Sequence, residues 1–285
     1  MDPLAAFADR QLQRALPPET LAMAEAIRAR HSGVSAVLAY GSTLRGVATA
    51  DTLMDLYVLT AELADVSPNV FARAGAALVP PNVHYAECSV NGEIYRAKYA
   101  VLPLASFARR MTAANPYFWA RFAQPAALIF SADNAARRAV AAAVAQALRT
   151  AWGHALALRP DGPAAARWAA VFSETYRTEL RPEGGNRPAS IVAAWPDYYD
   201  DAAGLMADVT PRPAHWPLRR LHGKLLTLAR LAKAAFTFAG GADYIVWKIE
   251  RHSGAKITLS DWQRRHPLVA GLLLLPSLLK RGAIR

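Results

Sequence analysis

Residues 36–46 read AVLAYGSTLRG, and residues 51–59 read DTLMDLYVL. Their apolar runs predict two buried strands, over residues 34–40 and 54–59. The first run ends at Gly41-Ser42, where a strand that enters a helix N-terminus leaves backbone amides and a hydroxyl group available to phosphate oxygens. Asp55 opens the second run, and its carboxylate is suited to a Mg²⁺ ion that bridges those phosphates.

The rest of the first half predicts an α+β domain. Two strand-like runs, residues 83–90 and 93–101, flank Asn91-Gly92, a pair that tolerates the positive φ of a two-residue type I′ hairpin turn. Periodicity further predicts helices over residues 3–16, 18–30 and 135–158 and a strand over residues 126–130.

The sequence RPDGP at residues 159–163 breaks the pattern, and helices separated by Pro/Gly loops follow it. We therefore predict a first domain over residues 1–160, a mainly helical domain over 161–260 and a basic amphipathic segment over 261–285. The apolar run in that segment is about half the ~20 residues that a membrane-spanning helix needs. Its basic flanks suit either a bilayer interface or a helix packed on the core.

Composition narrows the partners and the compartment. A hydrophobic content of 53% predicts a folded core, and the net charge of +11 predicts a polyanionic partner: a nucleotide, a nucleic acid or an anionic lipid surface. Cys88 is the only cysteine, which excludes an internal disulfide and a thiolate metal cluster. Asp2 and Asp9 interrupt the start, which lacks the apolar core of a secretory signal, so a cytoplasmic location is expected.

The order of Gly41-Ser42 and then Asp55 resembles the signature of the nucleotidyltransferase superfamily typified by DNA polymerase beta. The common form has two acids separated by one residue, but Leu53 stands where the first would be. Glu87 is the candidate for the second carboxylate because it lies on a strand face shared with other polar residues. Asp51 is the alternative.

A narrower resemblance rests on several blocks in order: AYGS and LMDLYVL, NVHYAECSVNGEIYRAKYAVLPL at residues 82–104, and NPYFWARFAQPA at residues 115–126. Together they resemble the mitochondrial phosphatidate cytidylyltransferase family, the translocator assembly and maintenance proteins. The family's glycine and lysine are replaced here by Ala100 and Gln124. The matching residues are Gly41, Ser42, Asp55, Tyr85, Asn91, Gly92, Lys98, Tyr99, Asn115, Tyr117, Arg121 and Pro125, with a weaker match at Arg230, Lys233, Thr237 and Gly240.

The resemblance implies a nucleotidyltransferase domain with a mixed sheet, followed by a winged-helix-like domain. It implies transfer of CMP from CTP to phosphatidic acid with Mg²⁺, at the inner face of a membrane. The implied catalytic residues are Asp55, Lys98 and Arg121; the nucleotide-binding residues Gly41, Ser42, Tyr99, Asn115 and Tyr117; and the lipid or phosphate ligands Arg230 and Lys233. The predicted metal ligands are Asp55 and, from strand alternation rather than from the resemblance, Glu87.

Two other functions fit the same residues. The acceptor could instead be a soluble phosphate or hydroxyl compound, because superfamily membership does not fix the acceptor. The missing first acid could also mark an inactive site in a nucleic-acid-binding module whose charge of +11 serves a phosphate backbone.

Overall fold

A computed structural model describes residues 2–44, 53–179, 187–237 and 260–265. Its five-stranded sheet has the order β3-β4-β2-β1-β5. The β2–β4 pair is parallel and the other neighbours are antiparallel, so the sheet is mixed and the predicted α+β class is confirmed. The strands are β1 (Val34–Tyr40), β2 (Leu53–Thr60), β3 (Asn82–Val90), β4 (Glu93–Pro103) and β5 (Ala126–Ser131).

The hairpin between β3 and β4 forms where the sequence predicts it. Val90 pairs with Glu93, and the two residues between them have positive φ, 52° at Asn91 and 84° at Gly92. Positive φ at both central positions characterises a type I′ turn, whose twist matches that of the flanking strands. The strand predicted over residues 126–130 is also confirmed, as β5.

Helices cover the sheet and make up most of the described residues in the second half of the chain. The first two begin at prolines, which fit the first turn of a helix because their missing N–H has no helical partner. The α-helices are α1 (Pro3–Leu12), α2 (Pro18–Arg28), α3 (Val70–Leu78), α4 (Leu104–Arg109), α5 (Trp119–Phe122), α6 (Asn134–Leu158), α7 (Ala164–Tyr176), α8 (Arg187–Ala193), α9 (Pro196–Gly204), α10 (Trp216–Thr237) and α11 (Asp261–Arg265).

The entry helices are shorter than predicted, whereas the long alanine-rich helix is confirmed. α1 ends at Leu12 and α2 at Arg28, whereas the periodicity predicted ends at residues 16 and 30. Leu16 precedes Pro17, and a residue before a proline disfavours the helical conformation. At the start of α6, Asp133 accepts a hydrogen bond from the Ala136 amide at 2.7 Å and caps the helix.

Side chains of the neighbouring strands β2 and β4 alternate between two faces of the sheet. Tyr57 packs with α1, α5 and α6, and we call this side the site face because Asp55 shares it. Leu56 and Tyr99 pack with Met23 of α2 on the other side, which we call the back face. The sheet therefore separates two buried clusters.

The later helices extend the cluster on the site face. Trp168 and Phe172 of α7 and Tyr199 of α9 belong to it, and Trp168 packs against Trp152 of α6 with ring centroids 5.1 Å apart. After Ser131 the described residues form helices and no strand, so the mainly helical second half is confirmed, whereas the winged-helix-like arrangement and the domain boundaries stay predictions.

None of the described helices is both long and apolar enough to cross a bilayer. The basic apolar run predicted to lie at a membrane or on the core falls in residues 266–285, outside the described part of the chain.

Candidate active site

The end of β1 and the start of β2 bring Gly41 and Asp55 together. Tyr40, the last residue of β1, pairs with Asp55 across the antiparallel ladder. The chain then turns at Gly41 with φ 69°, a conformation that favours glycine, into a short 3₁₀ turn over Gly41–Leu44. A methyl group added at Gly41 would lie 3.6 Å from Asp55 Oδ2, so the backbone there passes close to the carboxylate.

Thr43 fixes this turn to β2. Its hydroxyl oxygen accepts a hydrogen bond from the Asp55 amide at 2.9 Å, and the residue is buried. Thr43 was not predicted as a site residue, although it is a hydroxyl residue two positions after Gly41, in the turn that precedes Asp55. The side chain of Ser42 and the whole of Asp51 lie outside the described part of the chain.

Lys98 lies beside Asp55 on the site face. The parallel ladder between β2 and β4 pairs Asp55 with Lys98, and β3 pairs Tyr85 with Lys98 from the other side. Neighbouring strands lie about 4.8 Å apart, so the half-buried ammonium stem and the carboxylate occupy adjacent positions of the sheet. The structure therefore brings together Gly41, Asp55 and Lys98.

Tyr99 lies on the back face, away from these three residues. Its hydroxyl oxygen is 3.4 Å from His31 Nε2, and its ring centroid is 5.3 Å from that of His84. Successive residues of a strand project to opposite faces, so Lys98 and Tyr99 cannot both face Asp55. The structure does not bring Tyr99 to the nucleotide side that the family resemblance implies.

Glu87 is held at a distance from Asp55. Its carboxylate accepts hydrogen bonds from the Tyr85 hydroxyl at 2.8 Å and from Arg96 Nε at 3.1 Å. It lies on β3, two strands from β2, so the two backbones are about 10 Å apart or more. In the described ranges, moreover, no group of three or more His, Cys, Asp or Glu residues could bind a metal.

Arg121 is anchored by an acid that the sequence analysis missed. Its Nη1 lies 2.8 Å from Oε1 of Glu179, and its Nη2 donates to Oε2 at 3.0 Å. Nη1 also donates to the Tyr117 carbonyl oxygen. Burial opposes the charged form, but the Glu179 carboxylate outweighs it and raises the pKa of Arg121 well above its ordinary value. Arg121 is thus held by protein groups.

Tyr117 lies between two guanidinium groups. Arg121 Cζ is 3.8 Å from the centre of its ring and Arg230 Cζ is 3.7 Å from it, distances typical of cation–π contacts. The Asn115 side chain accepts a hydrogen bond from the Tyr117 amide at 3.1 Å. The Asn-x-Tyr block therefore positions the ring that joins helix α10 to the site face.

Lys233 binds the backbone that leads into β3. Its Nζ donates to the carbonyl oxygens of Val79 and Pro81, both at 2.6 Å, and to Asn82 Oδ1 at 3.0 Å. Burial lowers the pKa of Lys233 to about 8, and the neighbouring Arg230 charge adds to the effect. These contacts give Lys233 an anchoring role for α10.

Tyr40 and Tyr57 form a chain of ring contacts from the residue paired with Asp55 to Phe118, which contacts Tyr117. The ring centroids of Tyr40 and Tyr57 lie 5.2 Å apart, and Tyr57 lies 6.3 Å from Phe118. Burial raises the pKa of Tyr40 well above its ordinary value, and the Asp55 carboxylate adds to this. Both hydroxyl groups therefore stay protonated at neutral pH and can donate hydrogen bonds.

No protein-family model and no curated protein matches the chain. Among solved structures, the chain is similar to a nucleotidyltransferase-like protein from Exiguobacterium sibiricum, with 13% identity and a TM-score of 0.26 over 91% of this chain and 90% of that chain. A similarity of this size establishes neither a shared fold nor a shared activity.

Proposed function

We propose that the chain is a nucleotidyltransferase whose active site lies at the ends of β1 and β2. The observation that carries the proposal is the meeting of Gly41 and Asp55 Oδ2, beside Lys98 on the same face. A glycine turn with positive φ lets phosphate oxygens approach backbone amides closely. A carboxylate and an ammonium group beside it match the charges of a metal–triphosphate complex.

The donor set fits Mg²⁺. Magnesium is held in many phosphate-transferring sites by one or two carboxylates, several waters and the substrate phosphates, so a dedicated protein cage is not required. Asp55 would hold the ion through its carboxylate oxygens, of which Oδ2 lies next to Gly41. When bound, the ion supplies neutralisation of the charge that develops on the phosphate oxygens.

The residues of the chain act by positioning and by charge. An oxygen of the acceptor attacks the α-phosphorus, a new P–O bond forms, and the bond to the β-phosphate oxygen breaks as pyrophosphate leaves. Lys98 would stabilise the negative charge on the transferring group, and Tyr40 and Tyr57 would provide neutral hydroxyl donors beside it. No covalent enzyme intermediate is needed.

The finer proposal is that CTP supplies CMP and that phosphatidic acid, at a membrane surface, is the acceptor. Support comes from the ordered family blocks between Gly41 and Arg121 and from the net charge of +11, which favours an anionic surface. The family's implied roles change in two places: Arg121 and Lys233 act as anchors through Glu179 and the backbone before β3, and Arg230 stays a phosphate ligand.

The test measures pyrophosphate release from CTP and Mg²⁺, with and without vesicles that contain phosphatidic acid. We expect lipid-dependent release that falls roughly 100-fold or more in Asp55→Asn, because the substituted amide loses the negative charge that attracts the metal. Asp197→Asn, which removes an exposed acid from the first turn of α9, is the matched control and should keep full activity.

Each contrary outcome identifies a different error. Release that is independent of lipid but lost in Asp55→Asn would keep nucleotidyl transfer and replace the acceptor with a soluble compound. No release with any of the four nucleoside triphosphates would overturn the proposal, and salt-sensitive nucleic-acid binding without turnover would then favour the noncatalytic module.

A further inference from the structure

Two arginines each contact one of two adjacent aromatic rings, Phe118 and Tyr117. Arg110 opens a 3₁₀ turn directly after α4, and its Cζ lies 5.5 Å from the Phe118 ring. The Phe118 and Tyr117 ring centroids are 5.0 Å apart, and Arg230 Cζ lies 3.7 Å from the Tyr117 ring. The 3₁₀ turn after α4 and helix α10, far apart in sequence, therefore place two guanidinium groups on two aromatic rings that contact each other.

These two guanidinium groups carry buried donors without partners. Arg110 Nε and Arg230 Nη1 are two of the five buried side-chain nitrogen or oxygen atoms in the described residues that lack a hydrogen-bond partner. An unmade hydrogen bond of a buried charged donor is costly, so such a donor calls for a polar partner, which a bound ligand can supply. Two such donors at one place point to the same ligand.

The local charge is also unbalanced. Glu179 pairs with Arg121, and among the described ion pairs none includes Arg110 or Arg230. Burial lowers the pKa of Arg110, and the positive charges of Arg230 and Arg109 lower it further, which shows that these cations repel one another. Burial also lowers the pKa of Arg230, and the positive charge of Arg121 lowers it further.

The excess positive charge indicates which kind of ligand would bind here. Arg110, Arg121 and Arg230 carry three positive charges against the single carboxylate of Glu179. A phosphate group with two negative charges would balance the remainder, and its oxygens accept hydrogen bonds from guanidinium donors in a fixed fork geometry. Tyr57 joins this platform to Tyr40 beside Asp55, so the group would lie on the site face.

We propose that Arg110 and Arg230 form a binding site for a phosphate group. This proposal deepens the proposed function and rests on it for the source of the phosphate. The phosphate belongs either to the pyrophosphate portion of the nucleotide or to the phosphomonoester of the acceptor. Arg110 was not singled out by its sequence.

The experiment titrates the full chain, without Mg²⁺, with inorganic pyrophosphate in one arm and with glycerol 3-phosphate in the other, by calorimetry. Arg110→Met should weaken binding of the correct probe about 10-fold to 100-fold, because it removes charge-assisted hydrogen bonds but keeps the contact with Phe118. Arg230→Met should weaken it similarly. Arg109→Met, which removes an exposed neighbouring charge, should change it less than about threefold.

A stability measurement separates a binding role from a structural one. Without ligand, Arg110→Met should have a Tm equal to or above that of the parent chain, because a partly buried cation outside the described ion pairs is removed. A saturating probe should raise the Tm of the parent chain but not that of the variant. A lower Tm in Arg110→Met without ligand would assign the arginine to the fold and overturn the proposal.

The remaining outcomes separate this proposal from the proposed function. Binding that depends on Arg110, in a chain that releases no pyrophosphate from any nucleotide, would retain the phosphate site and reject the transferase. Turnover that depends on Asp55, with probe affinity unchanged in Arg110→Met and Arg230→Met, would do the opposite. Equal losses of probe affinity in Arg109→Met and Arg110→Met would show that the probe is attracted by surface charge in general, and would overturn the proposed site.

Discussion

The site face holds an ion pair, whereas the polar side chains that contact one another on the back face are two histidines and a tyrosine. Arg121 and Glu179 form a two-point ion pair on the first, and His31, His84 and Tyr99 contact one another on the second. Arg121 and Glu179 come from α5 and from the residues after α7, whereas His84 and Tyr99 come from β3 and β4. Because Arg121, Arg110 and Arg230 lie on the site side, we expect anions to bind there.

The largest effect on stability is expected from breaking the ion pair of the site face. Glu179→Ala would leave Arg121 largely buried without its carboxylate, which should cost about 3 kcal/mol of the free energy of unfolding. Urea unfolding measures this. The matched control is Glu25→Ala, whose acid pairs with Arg28 at an exposed position and whose loss should leave the unfolding midpoint unchanged.

A second variant makes the ion-pair prediction strict. If Glu179 stabilises the fold by neutralising Arg121, the double variant Arg121→Met/Glu179→Ala should be more stable than Glu179→Ala alone, because no uncompensated charge remains. Additive losses in the double variant would contradict this and would show that the two side chains act separately.

The next largest effect is expected on kcat/KM, from two adjacent residues that lie on opposite faces. Lys98→Met should lower kcat/KM for nucleotidyl transfer about 100-fold, equivalent to about 2.7 kcal/mol, because it removes a cation beside Asp55. Tyr99→Phe removes a hydroxyl group that contacts His31 on the back face, and kcat/KM should change less than about threefold. A larger loss in Tyr99→Phe than in Lys98→Met would reverse the assignment of the faces.

Local sequence patterns were sufficient for much of the fold. Asn91-Gly92 predicted the hairpin because the backbone conformation of its turn depends on those two residues alone. The parallel pairing of β2 with β4 was not predicted, since it joins strands that are separated in sequence by β3. Pairing of this kind depends on packing over the whole sheet, which no local pattern records.

The site could be predicted only in part, and for a similar reason. Gly41 and Asp55 lie close in sequence on successive strands, and the family resemblance singled them out. Glu179 lies 58 residues after Arg121, and Arg110 belongs to no quoted block, so only tertiary structure joins them to Tyr117. The opposite orientations of Lys98 and Tyr99, in contrast, follow directly from strand alternation.

A smaller effect is expected from pH on the back face. Burial lowers the pKa of His84 to about 4, and the charges of His31 and Lys233 contribute. Below pH 6.5 the unfolded chain binds a proton that the folded chain does not, so stability is lost as the pH falls from 6.5 towards 4. Between pH 7 and pH 5 this group should remove about 2 kcal/mol.

The measurement compares urea unfolding at pH 7 and pH 5. His84→Gln cannot be protonated in this range and should show a loss about 2 kcal/mol smaller than that of the parent chain. His215→Gln, which removes an exposed histidine, should match the parent chain at both pH values. A pH dependence in His84→Gln equal to that of the parent chain would show that the imidazole is not held neutral by the back face.

The smallest effect is expected at the hairpin, which supplies side chains to both faces. Gly92 has φ 84°, so Gly92→Ala places a side chain in a strained conformation and should cost about 1 kcal/mol. Gly204→Ala is the matched control, because an added methyl group there has no atom within 4 Å. Thermal unfolding should lower the Tm of the first variant only. Because β4 carries both Lys98 and Tyr99, kcat/KM well below the melting temperature should stay unchanged; a selective loss of activity would mean that the turn itself contacts substrate.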